Sequence, residues 1–210
     1  PVTGRPAGWC DHIARMWPVD GIIGENGAFY FFYEKSKKKM KRRFWKSEKQ
    51  RKEDQHLLQN LSKKILLDIK GCKIASDQPY RETDLAIDIS EDVTPLSKSK
   101  IEKILKFFHK AGAHAKVSSI HINGWFGHYD KLAMTRIFFE EIFQKNIDNL
   151  QEQIVFCGDS PNDEPMFDFF QNSVGVANVL DFNNEIRKLP TWITKNRSSE
   201  GFFELAETII

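Results

Sequence analysis

The chain has 210 residues, of which 40% are hydrophobic and 29% are charged, and its formal net charge at pH 7 is +2. This length allows one sizeable core, or a core with a smaller appended domain. No apolar run approaches the roughly 20 residues of a membrane helix, so no membrane-spanning helix is predicted. The cysteines are too few and too scattered for a disulfide framework or a zinc site, and this predicts buried thiols in the reducing cytoplasm. They are Cys10, Cys72 and Cys157.

The first quarter of the chain predicts one helix and two short strands. Apolar spacing indicates a helix over about 9–16, and strands at 22–23 and 29–33 lie on either side of the turn-forming Glu25-Asn26-Gly27. A basic stretch over 35–52 then passes into a helical pattern. The apolar face of that pattern carries Leu57, Leu58, Leu61, Ile65 and Leu66.

The middle of the chain mixes strands with one further helix. Strands are predicted at 74–75, 85–89 and 116–123, and a helix is predicted over 97–110. The segment 47–122 is therefore interpreted as an α+β insertion.

The last third of the chain alternates helices and strands. A strong amphipathic helix over 131–145 precedes a short apolar strand at 154–157, a helix at 164–170 and a strand at 173–177. This alternation indicates a parallel α/β core, and a wholly apolar strand is typical of a sheet covered on both faces. The predicted organisation is a core formed by 1–46 and 123–210, with the cap-like insertion 47–122 between them.

An acidic turn follows the strand at 154–157, in the stretch IVFCGDSPNDEPMF. Ligands of open parallel sheets bind at the carboxyl ends of strands, where Asp159 lies, and Asp163 follows one turn later. Carboxylate oxygens at such a turn suit Mg²⁺. A helix N-cap is the structural alternative, because Asp, Ser and Asn all cap helices.

Two further stretches carry residues suited to binding an anion. Thr3-Gly4-Arg5 follows a strand end, where a hydroxyl and backbone N–H groups can hold an anionic oxygen, although a purely structural Ser/Thr turn would have the same sequence. Lys131 opens a helix behind the predicted N-cap Asp130, a position where the helix dipole disfavours a positive charge. A solvated surface lysine is the alternative interpretation of Lys131.

The order Thr…Lys…Gly-Asp-Ser-x-Asn-Asp resembles the haloacid dehalogenase-like (HAD) phosphatases, and in particular the branch with a large α/β cap. That branch includes Cof-type, sucrose-phosphate and mannosyl-3-phosphoglycerate phosphatases. TGRP is similar to the second motif of the family, GHYDKLAM to the third, and GDSPNDEPMF to the fourth, while GENGA matches the usual Asn-Gly turn of the branch. The resemblance covers nearly the whole chain.

The resemblance implies a Rossmannoid parallel-sheet core with an inserted α+β cap and a Mg²⁺-dependent phosphatase acting on a small phosphate ester. The family transfers the phosphoryl group to an aspartate and then hydrolyses the aspartyl-phosphate. Asp159 would be a metal ligand, and Asp163 would either reach the metal or orient Lys131. The residues assigned to catalysis are Thr3, Lys131, Asp159 and Asp163, and those assigned to substrate binding in the core are Gly4, Arg5, Asn26 and Asn162.

One family motif has no counterpart in this sequence. The first motif, Asp-x-Asp, supplies the nucleophile and precedes the threonine motif, whereas Thr3 is nearly the first residue here. Asp84 and Asp88 flank a predicted strand and lack the turn that such a motif needs. We therefore expect an N-terminally truncated core and an inactive fragment of a parent enzyme. A non-catalytic module that binds a phosphate ligand is the alternative.

The insertion supplies the candidate specificity residues. If 116–123 is one strand, then Ser119, His121 and Asn123 share a face, because side chains alternate along a strand. Neutral polar groups in a row suit the hydroxyls of a sugar phosphate, although an ordinary solvent face would look the same. Arg81 is a candidate for a second anionic group of the substrate, or else a surface charge.

The basic run EKSKKKMKRRFWKSEKQRKE holds eleven Lys and Arg residues within 35–52, interleaved with Phe44 and Trp45. Such a run can bind nucleic acid. The nearly neutral whole chain and the interrupting Glu34, Glu48 and Glu53 favour a solvated hairpin with a lysine-protected edge strand instead. The predicted partner is therefore a small phosphate ester, and no oligomeric state is predicted.

Overall fold

A computed structural model describes residues 1–209, and the chain divides into two compact units, Pro1–Thr135 and Arg136–Ile210. Within the described residues, no helix combines the length and the apolar character that a membrane crossing requires.

The first unit contains seven strands and the helices α1 to α4, of which α4 ends just beyond the boundary of the unit. The helices are α1 (Ala7–Met16), α2 (Glu48–Asp68), α3 (Lys98–Lys110) and α4 (Lys131–Phe138). The strands are β1 (Ile22–Gly24), β2 (Phe29–Glu34), β3 (Lys39–Phe44), β4 (Lys73–Ile74), β5 (Leu85–Asp88), β6 (His114–Val117) and β7 (His121–Trp125).

Strands β1, β2 and β3 form an antiparallel sheet in that order, and Val2 pairs with Ile23 of β1 in parallel. The rings of Phe29 and Phe31 are buried and stack with their centroids 4.4 Å apart. The basic run thus supplies β3, an edge strand, as the hairpin interpretation predicts. Part of its charge is paired within the chain, since Arg42 lies over the ring of Phe31 and donates to Asp11 at 2.7 Å.

The second sheet of this unit is antiparallel, with the order β4-β5-β7-β6. One face packs against α2 and α3 in a single apolar cluster, and its fully buried members include Ile65, Ile87, Ile104, Phe108 and Ile122. Helix α2 begins at a capping box, in which Ser47 accepts from the N–H of Gln50 and the Gln50 side chain accepts from the N–H of Ser47. The predicted limits of the insertion, 47 and 122, stay a prediction.

The strand predicted over 116–123 is wrong, because two strands and a tight turn occupy this segment. Strand β6 ends at Val117 and β7 begins at His121. The Ser118 hydroxyl accepts from the N–H of His121 at 3.0 Å, and the Ser118 N–H donates to the carbonyl of His121 at 2.8 Å. A serine that bonds to the nearby backbone offers the chain a turn instead of a continuing strand.

The second unit contains a parallel sheet with the order β10-β9-β8 and two helices. Its elements are β8 (Val155–Gly158), α5 (Glu164–Phe169), β9 (Asn172–Gly175), β10 (Trp192–Ile193) and α6 (Ser198–Ile209). The parallel pairing of β8 with β9 agrees with the predicted α/β core. Strand β8 is the short apolar strand that we expected to be buried on both faces. That expectation is wrong at Val155, which is 44% exposed.

The helix predicted over 131–145 is shorter and less regular than its pattern. The α-helical part ends at Phe138, a π-helical turn follows over Phe139–Phe143, and Gln144 has a left-handed φ of 54°. The rings of Phe138, Phe139 and Phe143 contact one another edge to face. These packed rings accompany the change in helix type, which the apolar spacing alone did not predict.

Candidate functional site

Two turns of the first unit meet at the end of β1. The N–H of Asn26 donates to the carbonyl of Thr3 at 3.1 Å, and the N–H of Thr3 donates to the carbonyl of Ile23 at 2.9 Å. A Cβ atom on Gly4 would lie 3.2 Å from Oδ1 of Asn26, so the amide of Asn26 contacts the Thr-Gly turn directly. The structure therefore brings together Thr3, Gly4 and Asn26, and their roles in catalysis and binding stay predictions.

The start of α4 joins these two turns through Gly27. Gly27 has φ 103°, and a Cβ atom there would lie 2.0 Å from the carbonyl oxygen of Asp130 and 2.9 Å from the backbone nitrogen of Lys131. Asp130 caps the helix, because its carboxylate accepts from the N–H of Ala133 at 2.7 Å. Lys131 is only 5% exposed, so the interpretation as a solvated surface lysine is wrong.

The hydroxyl of Thr3 takes part in a Ser/Thr turn. The N–H of Arg5 donates to Oγ1 of Thr3 at 3.1 Å, so the structural alternative weighed for this motif is present. A hydroxyl that accepts one hydrogen bond can still donate its own hydrogen to an anion. The turn therefore orients the hydroxyl without using its donor.

The side chain of Arg5 reaches from this turn towards two carboxylates. Its guanidinium lies 5.0 Å from the ring centroid of Trp9, and its nitrogens lie 3.5 Å from Asp77 and 3.4 Å from Glu91. These distances are long for ion pairs, and the side chain is partly exposed.

Glu25 is a buried residue of this region that the sequence patterns did not indicate. It is 0% exposed, and its carboxylate accepts from the N–H groups of Ala7, Glu82 and Thr83 at 2.7–2.9 Å and from the Thr83 hydroxyl. Burial, and then the charge of Asp84, raise the pKa of Glu25 to about 7. The only indication of Glu25 in the sequence was its place beside the Asn-Gly turn of GENGA. The spacing of the neighbouring apolar residues does not indicate that Glu25 is buried.

Arg81 is buried next to the Thr-Gly turn and is hydrogen-bonded to other residues of the chain. Its guanidinium donates to Asp77 at 3.0 Å, to Asp84 at 3.0 and 3.1 Å, and to the carbonyl of Gly4 at 2.9 Å. Arg81 is 7% exposed, so the surface-charge interpretation is wrong. Its role as a contact to a second anionic group stays a prediction.

The polar face of β7 carries two of the three candidate specificity residues. Asn123 donates to Asp84 at 2.9 Å, and Nε2 of His121 lies 2.8 Å from Glu91, at an angle that does not make a hydrogen bond. Both side chains are buried, and burial, followed by the charge of Arg81, lowers the pKa of His121. Ser119 lies in the turn before β7 and is exposed, so it does not share their face. The role of these three residues in substrate binding stays a prediction.

The acidic turn of the second unit lies at the carboxyl end of β8. Oδ2 of Asp163 accepts from the N–H of Asp159 at 3.0 Å and from that of Ser160 at 3.3 Å, while the Ser160 hydroxyl donates to Asn162 at 2.7 Å. Asp163 is 3% exposed, whereas Asp159 is half-buried. Asp163 thus holds the backbone of the turn, which is the capping role weighed as an alternative, and its second predicted role towards Lys131 stays a prediction.

The donor set of this turn fits Mg²⁺. A magnesium site typically uses one or two carboxylates and several waters, and this turn presents two carboxylates. Burial, and then the charges of Asp163 and Asp159, raise the pKa of the Cys157 thiol to about 11. No cluster of three or more His, Cys, Asp or Glu side chains that could hold a metal occurs in residues 1–209.

Replacing Gly27 by Ala should destabilise the first unit strongly. The new Cβ would both occupy a left-handed backbone position and overlap the carbonyl of Asp130, so we expect a loss of more than about 2 kcal/mol of unfolding free energy. Gly112→Ala is the matched control, because Gly112 also has a left-handed φ of 75°, but no heavy atom would lie within 4 Å of a Cβ atom there. That control should lose only about 1 kcal/mol. Equal losses in urea unfolding would contradict the close contact between Gly27 and Asp130.

Glu25 should make the fold less stable at high pH. Its pKa rises on folding from an ordinary 4.5 to about 7, so the folded state binds the proton more tightly than the unfolded state. The resulting stability is complete below pH 4.5 and is lost as the pH rises through about 7. The difference between the pKa values of Glu25 in the unfolded and folded states corresponds to about 3 kcal/mol of unfolding free energy.

The measurement is urea unfolding of the wild type and Glu25→Gln between pH 5 and pH 8. We expect the wild type to lose stability relative to the variant over this range. Parallel pH profiles would show that Glu25 does not titrate in this way.

No protein-family model and no curated protein sequence matches the chain. Several solved structures are nevertheless similar. A Thermoplasma acidophilum protein has a TM-score of 0.67 and 16% identity, and the match covers 99% of this chain and 80% of that chain. The sucrose-phosphatase of a Synechocystis species, in complex with sucrose and phosphate, has a TM-score of 0.64 and 12% identity, covering 98% of this chain and 81% of its own.

A subclass IIB sugar phosphatase of the HAD superfamily has a TM-score of 0.62 and 11% identity, and the match covers 99% of this chain and 84% of that chain. These likenesses confirm the fold that the motifs predict. The chain has the fold of the haloacid dehalogenase-like phosphatases, an α/β Rossmannoid core with an α+β cap.

Proposed function

We propose that the chain is the phosphate-binding and metal-binding part of a Mg²⁺-dependent phosphatase that acts on a small phosphorylated metabolite. One observation carries this proposal: Thr3-Gly4, Asn26-Gly27 and the start of α4 at Lys131 converge in one place. Each of these stretches is a separate motif of the phosphatases that the sequence resembles. Their convergence supports a shared role.

The residues of this region suit a phosphoryl group. Lys131 supplies a positive charge from a buried position, and the hydroxyl of Thr3 supplies a hydrogen-bond donor. Preorganised donors and charges of this kind stabilise the charge on a transferring phosphoryl group, since they need no rearrangement during the reaction.

Magnesium, when bound, would supply further positive charge against the phosphate oxygens. Asp159 is the proposed ligand from this chain, and Asp163 keeps the backbone of the turn in place while it contributes a second carboxylate. The carboxylates are offered by one short turn, which leaves coordination positions for water and substrate.

A sugar phosphate is the proposed substrate class. Two of the similar structures are sugar phosphatases, one of them solved with sucrose and phosphate. The buried Nε2 of His121, which makes no hydrogen bond within residues 1–209, supports the same class, because such a group can pair with a sugar hydroxyl. The location in the cytoplasm, predicted from the cysteines, remains a prediction.

The sequence of residues 1–210 contains no Asp-x-Asp pattern, so we propose that this chain binds phosphate without forming the aspartyl-phosphate that the family chemistry uses. The same observation favours a second candidate, a non-catalytic module that binds a phosphate ligand. Both candidates require phosphate binding, and turnover separates them. Phosphate release from a panel of sugar phosphates should therefore be measured for this chain and for the chain extended upstream in its reading frame. Turnover by the extended chain supports the enzyme, and its absence supports the module.

Lys131→Met should weaken the binding of inorganic phosphate at least tenfold, or about 1.4 kcal/mol, in calorimetric titrations with Mg²⁺ present. The methionine keeps the length and packing of the stem but removes the charge. Lys103→Met on α3 is the matched control, since Lys103 is exposed and lies outside this region, and it should leave the affinity unchanged.

An unchanged affinity in Lys131→Met would remove this lysine from the site. If the wild-type chain shows no saturable phosphate binding, the proposed function itself fails.

A further inference from the structure

The carboxylate of Glu25 binds two segments that are far apart in the sequence. Oε1 accepts from the N–H groups of Ala7 and Glu82, each at 2.9 Å, and Oε2 accepts from the N–H of Thr83 at 2.7 Å and from its hydroxyl. Ala7 begins α1, and residues 82–83 lead into β5 of the four-stranded sheet. Four donors converge on one side chain that the proposed chemistry does not use.

The backbone of Glu25 is tied to the Thr-Gly turn as well. Its N–H donates to the carbonyl of Arg5 at 3.1 Å, next to the bond from Asn26 to Thr3. Arg81, the neighbour of Glu82, donates to the carbonyl of Gly4 at 2.9 Å. The segment 81–83 is therefore joined both to the turn that carries Thr3 and to the turn that carries Asn26.

The turn that Glu25 begins is conformationally unfavourable. Glu25 has φ 42° and Asn26 has φ 57°, both in the left-handed region that residues other than glycine rarely adopt. Such backbone persists only where the surroundings hold it, and it is concentrated at functional sites. The four hydrogen bonds to the Glu25 side chain are the observed restraint on this turn.

We propose that Glu25 is a positioning residue, which holds the turns of Thr3 and Asn26 at a fixed spacing against the segment 81–83. The inference rests on the proposed function, because it assigns Glu25 a role in phosphate binding at that site. Glu25 itself does not contact the phosphate. It acts through the backbone that carries Thr3 and Asn26.

Glu25→Gln tests this role at pH 8, where the wild-type side chain is ionised. The amide keeps the size of the side chain but replaces one acceptor oxygen with an NH2 group, so either the two donors of Thr83 or the N–H groups of Ala7 and Glu82 lose their acceptor. Asp88→Asn is the matched control, because Asp88 is also buried and accepts from three N–H groups, those of Ser90, Glu91 and Asp92. Those bonds lie in the loop after β5, which meets the Thr-Gly turn through the long 3.4 Å contact between Glu91 and the Arg5 guanidinium.

Two readouts are needed. Amide hydrogen exchange at Asn26, relative to the amides of β7, should become at least tenfold faster in Glu25→Gln and should not change in Asp88→Asn. Calorimetric titration with inorganic phosphate and Mg²⁺ should show at least fivefold weaker binding in Glu25→Gln and less than a twofold change in Asp88→Asn.

The outcomes separate the claims. Unchanged relative exchange at Asn26 overturns the positioning role, and so does faster exchange with unchanged phosphate affinity, because Glu25 would then be merely structural. If the wild type binds no phosphate, the proposed function fails by itself, and the exchange measurement still decides whether Glu25 holds the turn.

Discussion

The candidate site depends on one close contact, in which Gly27 lies against the carbonyl of Asp130 at the start of α4. A side chain at position 27 would overlap this carbonyl, since its Cβ would come within 2.0 Å of the oxygen. Three successive residues, Glu25, Asn26 and Gly27, have positive φ angles, so the chain turns sharply at the end of β1. This turn places Asn26 beside Gly4 and places Lys131 beside Gly27, and without it the three motifs would not meet.

The buried charges around this turn define the geometry of the site but add little to the stability of the fold. Glu25 and Asp84 are buried together with Arg81, and burial raises the pKa of both carboxyl groups. Buried charges contribute little net stability, because desolvation offsets their attraction. The hydrogen bonds that they make nevertheless define a single geometry, since each partner would be left unpaired in any other arrangement. Glu25, Asp84 and Arg81 thus fix the position of the Thr-Gly and Asn-Gly turns while they contribute little to the free energy of unfolding.

The sequence predicted the motifs better than it predicted their surroundings. Thr3, Asn26 and Lys131 were identified because each is part of a local pattern that spans only a few consecutive residues. Glu25 was missed and the burial of Arg81 was not predicted, because each also bonds to residues more than 50 positions away, as between Glu25 and Thr83 and between Arg81 and Gly4. The turn after Val117 was missed for a different reason: its polar residues continue the alternation of a strand, and only the hydrogen bonds of Ser118 end it. In the acidic turn the capping interpretation is present, since Asp163 accepts from the N–H of Asp159, and the metal-binding interpretation stays a prediction.

The most direct test of the central claim is to map phosphate binding by ¹H–¹⁵N NMR on the intact chain, with Mg²⁺ present and inorganic phosphate as the titrant. We expect saturable shifts concentrated at the amides of Gly4, Gly27 and Lys131, because these come from the three stretches that converge. Shifts confined instead to the basic hairpin over 35–52, with none at these three amides, would show that phosphate is attracted by surface charge. That result would contradict a phosphate site built on the turn at Gly27.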